Sequence, residues 1–229
     1  MSKSQIATGG ITADAITEAK IADNAVESEH LNNNIISGQT ELASEPADTD
    51  EFLVSDAGTL KRIDYSLIKG GGITEADQFR LTTSFTGEAD PISSNLERVD
   101  TANFAKIGTG VSVSSGRFSF ASTGIYLITA HAMFAELNND SSPSHHAFIR
   151  TYTTTNNSSY TLAAEGSSDF SSNFGSFYDS CSSAFIFDVE NTSTHKCSFS
   201  VGLNRTVTQT RGNTNENKTY FTFIRLGDT

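Results

Sequence analysis

Ile125-Tyr126-Leu127-Ile128-Thr129-Ala130-His131-Ala132-Met133-Phe134 alternates with the period of a β-strand. Successive side chains of a strand point to opposite faces, so Tyr126, Ile128, Ala130, Ala132 and Phe134 share one side. The spacing predicts a strand with that side turned to a core. Working outward, comparable signals occur at Gln78–Phe85, Phe104–Val113, Arg117–Phe120, Ala147–Thr153, Phe185–Val189, Cys197–Leu203 and Thr219–Leu226. They are rich in Phe, Ile, Val, Thr and Tyr, and clusters of Gly, Ser, Asn and Asp separate them. No stretch between them offers a long amphipathic helix. Many short strands with such turns predict an antiparallel sandwich or barrel.

The same alternation turns Phe185, Phe187 and Val189 inward, and likewise Cys197, Phe199, Val201 and Leu203. Read as a hairpin with Glu190–Lys196 as its loop, these strands would stack Val189 on Cys197, Phe187 on Phe199 and Phe185 on Val201. Cys181 would then face Arg205. A disulfide needs Cα atoms within about 7 Å, so this register keeps Cys181 and Cys197 apart. The reading favours two free thiols, which suits assembly in a reducing cytoplasm.

The chain has 229 residues, 36% of them hydrophobic and 18% charged, with a net charge of −12. A wholly disordered chain would carry more charge and fewer aromatics. No run of eighteen apolar residues is present to span a membrane, and MSKSQIATGG shows no apolar core of a secretory signal. The acidic balance excludes nucleic-acid backbone binding as a main role, and there is no polybasic membrane patch. Of the 22 aromatic residues only Phe52 and Tyr65 precede Gly70-Gly71-Gly72. A core needs large buried side chains, each worth roughly 1.5–3 kcal/mol. The expected division is therefore an arm over 1–40, a short hairpin and linker over 41–72, and a self-sufficient head over 73–229.

The arm carries Ile6, Ile11, Ile16, Ile21, Val26, Leu31 and Ile36 at a strict spacing of five. Five residues advance about 500° on a helix, a drift of about 140° per step, so no helical stripe forms. A strand would alternate them between faces. Three copies winding about a common axis satisfy the pattern, as does an extended arm pinned into a row of pockets. A loose repetitive tail is the bland alternative, and a single-chain pentapeptide β-helix fits less well because Asp14 and Asn24 break its small-residue rule. Further on, Phe52-Leu53-Val54 and Leu60 to Ile63 read as two short strands joined by Ser55-Asp56-Ala57-Gly58, with Tyr65–Ile68 as a helical turn. A lone hairpin is marginal in water, which points to packing between copies.

The ladder ITADAITEAKIADNAVESEHL and the block TDEFLVSDAGTLKRIDYSLI resemble the shafts of tailed-bacteriophage fibre proteins over roughly residues 6–70. The resemblance implies a homotrimer anchored on the particle by its N-terminus, with a receptor-binding tip at the C-terminus. A second resemblance starts at Gly116-Arg117-Phe118-Ser119-Phe120-Ala121-Ser122-Thr123-Gly124-Ile125-Tyr126-Leu127-Ile128, which is similar to the G-x-F-x-F-x-x-x-G-x-Y signature of the tumour-necrosis-factor and complement-globular-head superfamily. Thr219–Leu226 is similar to the closing strand of those domains. This implies a ten-stranded jelly roll over about 78–226, forming a compact trimer with aromatics near the threefold axis. The Ser/Asn-rich stretch 153–183 departs from the pattern.

Candidate chemistry is sparse. His145-His146 beside Asp140 suggests a metal pair, but adjacent strand residues point to opposite faces, and no HExxH or Cys/His finger spacing occurs. Asp179 and Asp188 suggest calcium, without an EF-hand loop. His30, His131 and His195 stand alone. There is no G-x-S-x-G elbow, and Gly108-Thr109-Gly110 lacks the lysine and helix of a phosphate loop. Paired carboxylates can be found among 27 acidic residues, as a glycan-cleaving tip would need, yet phage spikes of that kind are longer chains. The expectation is a protein that is not an enzyme and uses no cofactor or metal. Asn-x-Ser/Thr triplets at Asn139, Asn156, Asn157, Asn191, Asn204 and Asn217 read as a polar surface. Tyr152, Tyr160, Phe170, Phe174, Phe177 and Tyr178 lie among such loops and are candidate receptor contacts, since rings supply stacking area and short polar side chains adapt. Core or trimer interface is the alternative for each ring.

The sequence thus predicts an all-β virion fibre of a tailed phage. Its arm would dock onto other virion proteins, tail or capsid, and its head would contact a host cell-surface glycan or protein, without nucleic acid or membrane insertion. A capsid head fibre or decoration protein without a receptor, and a soluble trimeric cytokine- or complement-like ligand, are the alternatives.

Overall fold

The computed structural model describes residues 17, 21–22, 25–26, 30–69, 71–136, 145–170 and 177–229, with the side chains of 145, 170 and 177 left aside. The chain divides into two compact units, Met1–Gly70 and Gly71–Thr229. In the first, helical turn α1 (Asn34–Ser37) precedes a hairpin of β1 (Glu51–Asp56) and β2 (Thr59–Asp64), followed by the turn α2 (Tyr65–Ile68). Ala57 and Gly58, with φ of 48° and 84°, make the two-residue loop; left-handed backbone matches the strand twist there. Phe52 pairs with Ile63, and its ring lies 6.1 Å from that of Tyr65. On the other face Leu53 and Leu60 stay 74% and 69% exposed.

The second unit contains β3 (Ala76–Leu81), β4 (Phe85–Thr86), β5 (Leu96–Arg98), β6 (Ser112–Ser114), β7 (Arg117–Ser119), β8 (Gly124–Glu136), β9 (His145–Thr154), β10 (Thr161–Phe170), β11 (Phe177–Val189), β12 (Lys196–Leu203), β13 (Gln209–Thr210) and β14 (Tyr220–Gly227). One sheet runs β10-β9-β12-β7-β6. The other runs β4-β13-β8-β14-β3-β5, with β11 also on β8. All pairings are antiparallel. Twelve strands in two layers, one of five and one of seven, with the chain crossing repeatedly between them, make an antiparallel jelly roll.

The decisive alternation is borne out: Tyr126, Ile128, Ala130, Ala132 and Phe134 are all buried. They meet the inner face of the opposite sheet around Phe118, which is 1% exposed and lies 5.1–5.9 Å from the rings of Phe79, Phe199, Phe221 and Phe223. Phe199 and Phe221 stack across the layers at 4.1 Å. The Gly-to-Tyr signature has a local cause. Gly116 turns into β7 at φ 75°, where a Cβ would overlap the Ile92 carbonyl, and Gly124 opens β8 at φ 144°, where a Cβ would strike the Arg225 guanidinium. Between them Phe118 and Phe120 point inward, and the Tyr126 hydroxyl donates to the Ser122 carbonyl at 3.1 Å.

Three expectations need correction. Phe185–Val189 and Cys197–Leu203 do not form a hairpin: β11 pairs with β8, whereas β12 pairs with β7 and β9. Their inward faces do meet, but across the sandwich, because the chain between them crosses from one layer to the other. Cys181 therefore sits opposite Ala132, not Arg205. Phe104–Val113 is mostly loop, with left-handed Gly108 and Gly110 inside it and left-handed Ala102 and Asn103 just before it. Carboxylates of Glu75 and Asp77 accept the N–H groups of Thr109, Gly110 and Val111 that a neighbouring strand would otherwise take. Conversely, the stretch 153–183 contains all of β10 and the first half of β11.

Candidate functional site: two outer faces of the head

Each sheet turns one face to the core and leaves one outside. On the β8 sheet the outer positions of three neighbouring strands form cross-strand rows. Ile186, Leu127 and Ile224 make an aliphatic row, followed by Ala184, Thr129 and Thr222, then Ser182, His131 and Tyr220. Ile186 is 60% exposed. His131 Nδ1 lies 2.9 Å from Ser182 Oγ, and its ring centre 5.1 Å from that of Tyr220. Burial lowers the His131 pKa from its ordinary value, which favours the uncharged ring. This face is uncharged over those rows and aliphatic at one end.

The outer face of the other sheet differs. Here β9 presents His146, Phe148, Arg150 and Tyr152, none fully exposed. Arg150 Nε donates to Glu165 at 2.5 Å, and its guanidinium lies 4.9 Å from the Phe148 ring centre and fills the space a side chain at Gly202 would need. His146 Nδ1 meets the Asp169 carboxylate. Arg117 Nη1 donates to Ser198 Oγ at 2.7 Å, and its guanidinium lies 3.9 Å from the Tyr160 ring centre. Burial raises the Tyr160 pKa, with Arg117 opposing.

The six aromatic residues singled out from sequence do not form one patch. Tyr152 and Tyr160 belong to the polar face just described. Tyr178 is exposed on β11 in the other sheet, its ring centre 5.8 Å from the Arg211 guanidinium. Phe170 and Phe177 end β10 and begin β11, opposite His145 and Glu136, with their side chains outside the description. Phe174 lies outside the described residues. Of the arm positions, Ile6, Ile11 and Ile16 also lie outside them, whereas Ile21, Val26, Leu31 and Ile36 are exposed, Ile36 at 83%.

Among the described residues no group of three His, Cys, Asp or Glu side chains could hold a metal. Asp140 is outside the description, and Asp179 accepts a hydrogen bond from Ser168 Oγ. Both cysteines are free and buried, on strands of different sheets. Burial pushes the Cys181 thiol up to about 11 and raises that of Cys197 further, so both are inert hydrophobes at neutral pH. Sequence reasoning missed Arg117 as a surface feature. Its partners Ser198 and Tyr160 lie far along the chain, and only the x of a structural signature marked its place.

No family model matches the sequence, and no curated protein does. Among solved structures, the crystal structure of murine APRIL at pH 5.0 is similar at 13% identity and a TM-score of 0.45, covering 66% of this chain and 98% of that one. The structure of Eiger TNF from S. frugiperda is similar at 14% identity and a TM-score of 0.48, covering 69% and 96%. The jelly roll itself is established by the strand order and registers above.

Proposed function

We propose that the chain is a homotrimeric virion fibre of a tailed phage, whose arm docks on the particle and whose jelly-roll head recognises a host surface. The observation that carries this reading is the amount of apolar surface a single copy leaves uncovered. In the N-terminal unit Ile21, Val26, Leu31, Ile36, Leu53 and Leu60 are all exposed, and in the head the row Ile186–Leu127–Ile224 lies on an uncharged face. Leu53 and Leu60 share one face of the hairpin, and Ile186, Leu127 and Ile224 one row of the sheet, apolar patches of the kind that mark contact between copies. Association of identical copies about an axis covers such a patch within each unit, and the fibre-like ladder supplies the setting. Light scattering of the full-length protein should give three times the chain mass of 24.5 kDa. Particles carrying the arm without the head should assemble but fail to adsorb to cells. A monomer at micromolar concentration overturns the fibre reading, and headless particles that infect normally replace the receptor role with capsid decoration.

A further inference from the structure

Among the described residues most Lys and Arg side chains are matched with a carboxylate. Arg80 pairs with Glu97 and Asp100, Arg98 with Asp77, Arg150 with Glu165, Lys218 with Glu216 and Arg225 with Asp228. Two cations on the polar outer face are not. Neither Arg117 nor Lys196 pairs with a carboxylate among the described residues. Both belong to one face: Phe118 and Cys197 point inward, so their neighbours Arg117 and Lys196 point out. In the register of β7 and β12, Arg117 stands opposite Ser198 and Lys196 opposite Ser119. Lys196 is thus the diagonal neighbour of Arg117, with Cα atoms about 7–8 Å apart.

The surroundings make this more than stray charge. The Arg117 guanidinium is fixed from two directions, by Ser198 Oγ at 2.7 Å and by the Tyr160 ring at 3.9 Å. One Nη1–H is engaged, which leaves a planar fork of further donors already ordered for a carboxylate or phosphate. Tyr152 stands on the other side of Ser198 in the same cross-strand row, and Ser112, Ser114 and Ser119 continue the face over β6 and β7. Two uncompensated cations, two tyrosine rings and a floor of hydroxyls on a flat sheet suit a polymer of sugar rings carrying acidic groups. Although the whole chain is at −12, charges beyond about 8 Å are screened at physiological salt, so the local pair governs contact.

We propose that the outer face of β7 and β12, through Arg117 and Lys196 with Tyr152 and Tyr160, binds an anionic polysaccharide bearing carboxylate or phosphate groups. The proposal rests on the receptor-recognising reading of the head and names the chemistry recognised. The face lies on the opposite sheet from the aliphatic row, so the proposed ring of copies leaves it open.

The test is biolayer interferometry on immobilised full-length protein, with polygalacturonate, poly(glycerol phosphate), neutral dextran and single-stranded DNA as analytes. Binding is expected to at least one of the two anionic polysaccharide probes, which also tells carboxylate from phosphate. It should be absent for dextran and for DNA, and should fade towards 1 M salt. Arg117→Gln should weaken it at least tenfold, Lys196→Gln about threefold, and Arg117→Lys should fall between, since the charge remains without the planar fork. The Lys196 side chain makes no hydrogen bond or ion pair among the described residues, and the substitution leaves its backbone pairing to Ser119 and Thr154 in place, so its variant keeps the test valid if Arg117→Gln misfolds. No binding to either probe, binding unchanged in Lys196→Gln and Arg117→Lys, or equal binding of DNA overturns the proposal. A protein that is trimeric and incorporated into particles yet ignores both probes sinks this site alone, whereas a monomeric or unincorporated protein sinks the fibre reading.

Discussion

Phe118→Ala is the sharpest test of the fold. The ring is 1% exposed and lies against four other rings, Phe199 from its own sheet and Phe79, Phe221 and Phe223 from the opposite one. Truncating a buried Phe costs about 3–5 kcal/mol, depending on how far the site collapses. Collapse is poor here, because β7 is only three residues long and is held on both edges by β6 and β12. Aromatic pairs add about 0.5–1.5 kcal/mol beyond area, so the upper end of the range applies. For a domain of this size about 2–4 °C is lost per kcal/mol, which predicts a fall in melting temperature of about 10–20 °C. The assay is thermal unfolding of the full-length protein followed by circular dichroism at fixed protein concentration. Leu162→Ala, at an exposed position of β10, is the control and should stay within about 0.5 kcal/mol. A fall below about 4 °C for Phe118→Ala would refute the placement of β7 at the centre of the core.

Other outcomes follow from the same packing. Leu127→Asp combined with Ile224→Asp should lower the mass in light scattering towards that of one chain while leaving the β-sheet circular dichroism unchanged; an unchanged mass removes this face from the assembly. Cys181 and Cys197 should resist alkylation at pH 8 in the native protein and react fully in denaturant; fast native labelling contradicts their burial. Because the folded Cys181 pKa is raised from 9.0 to about 11, the unfolded chain releases this proton first, so its contribution to stability is present below pH 9 and is lost between pH 9 and about 11. The melting temperature should fall over that window, less steeply in Cys181→Ala, and an equal slope in both proteins counts against the assignment. Gly166→Ala should impair folding, since a Cβ there would run into the Ser182 carbonyl oxygen.

What could be read from sequence and what could not have the same physical origin. β8 was legible because one of its faces is core along its length, and the hairpin over 51–64 because Ala57-Gly58 supplies the left-handed turn between two β-branched and apolar runs. β10, with the sequence TLAAEGSSDF, was not. It approaches β11 so closely at Gly166 and Ser182 that only small side chains fit, and Thr151 and Ser183 bridge the layers by a 2.9 Å hydrogen bond where other strands use rings. A strand built for close approach lacks the hydrophobic alternation that reveals strands. Alternation along β11 and β12 gave their inward faces but not their partners, since period two is the same whether a neighbour lies beside a strand or across the core. The polar face escaped notice because Arg117 and Ser198 are 81 residues apart.

The position of β14 has a consequence for the time course of synthesis. It lies between β3 and β8, pairing Phe221 with Phe79 on one side and with Ala130 on the other. A ribosome adding about 5–20 residues per second takes roughly 7–28 s to travel from Phe79 to Phe221. Until β14 is made, β3, and β8 once it has emerged, each hold an unpaired edge, and unpaired edges recruit strands from other chains. The nascent head is therefore a half-sheet awaiting its middle strand. Polysomes, where several such half-sheets emerge side by side, are where aggregation should compete with folding, and slowing elongation between Glu136 and Tyr220 should lower the soluble yield without altering the finished protein.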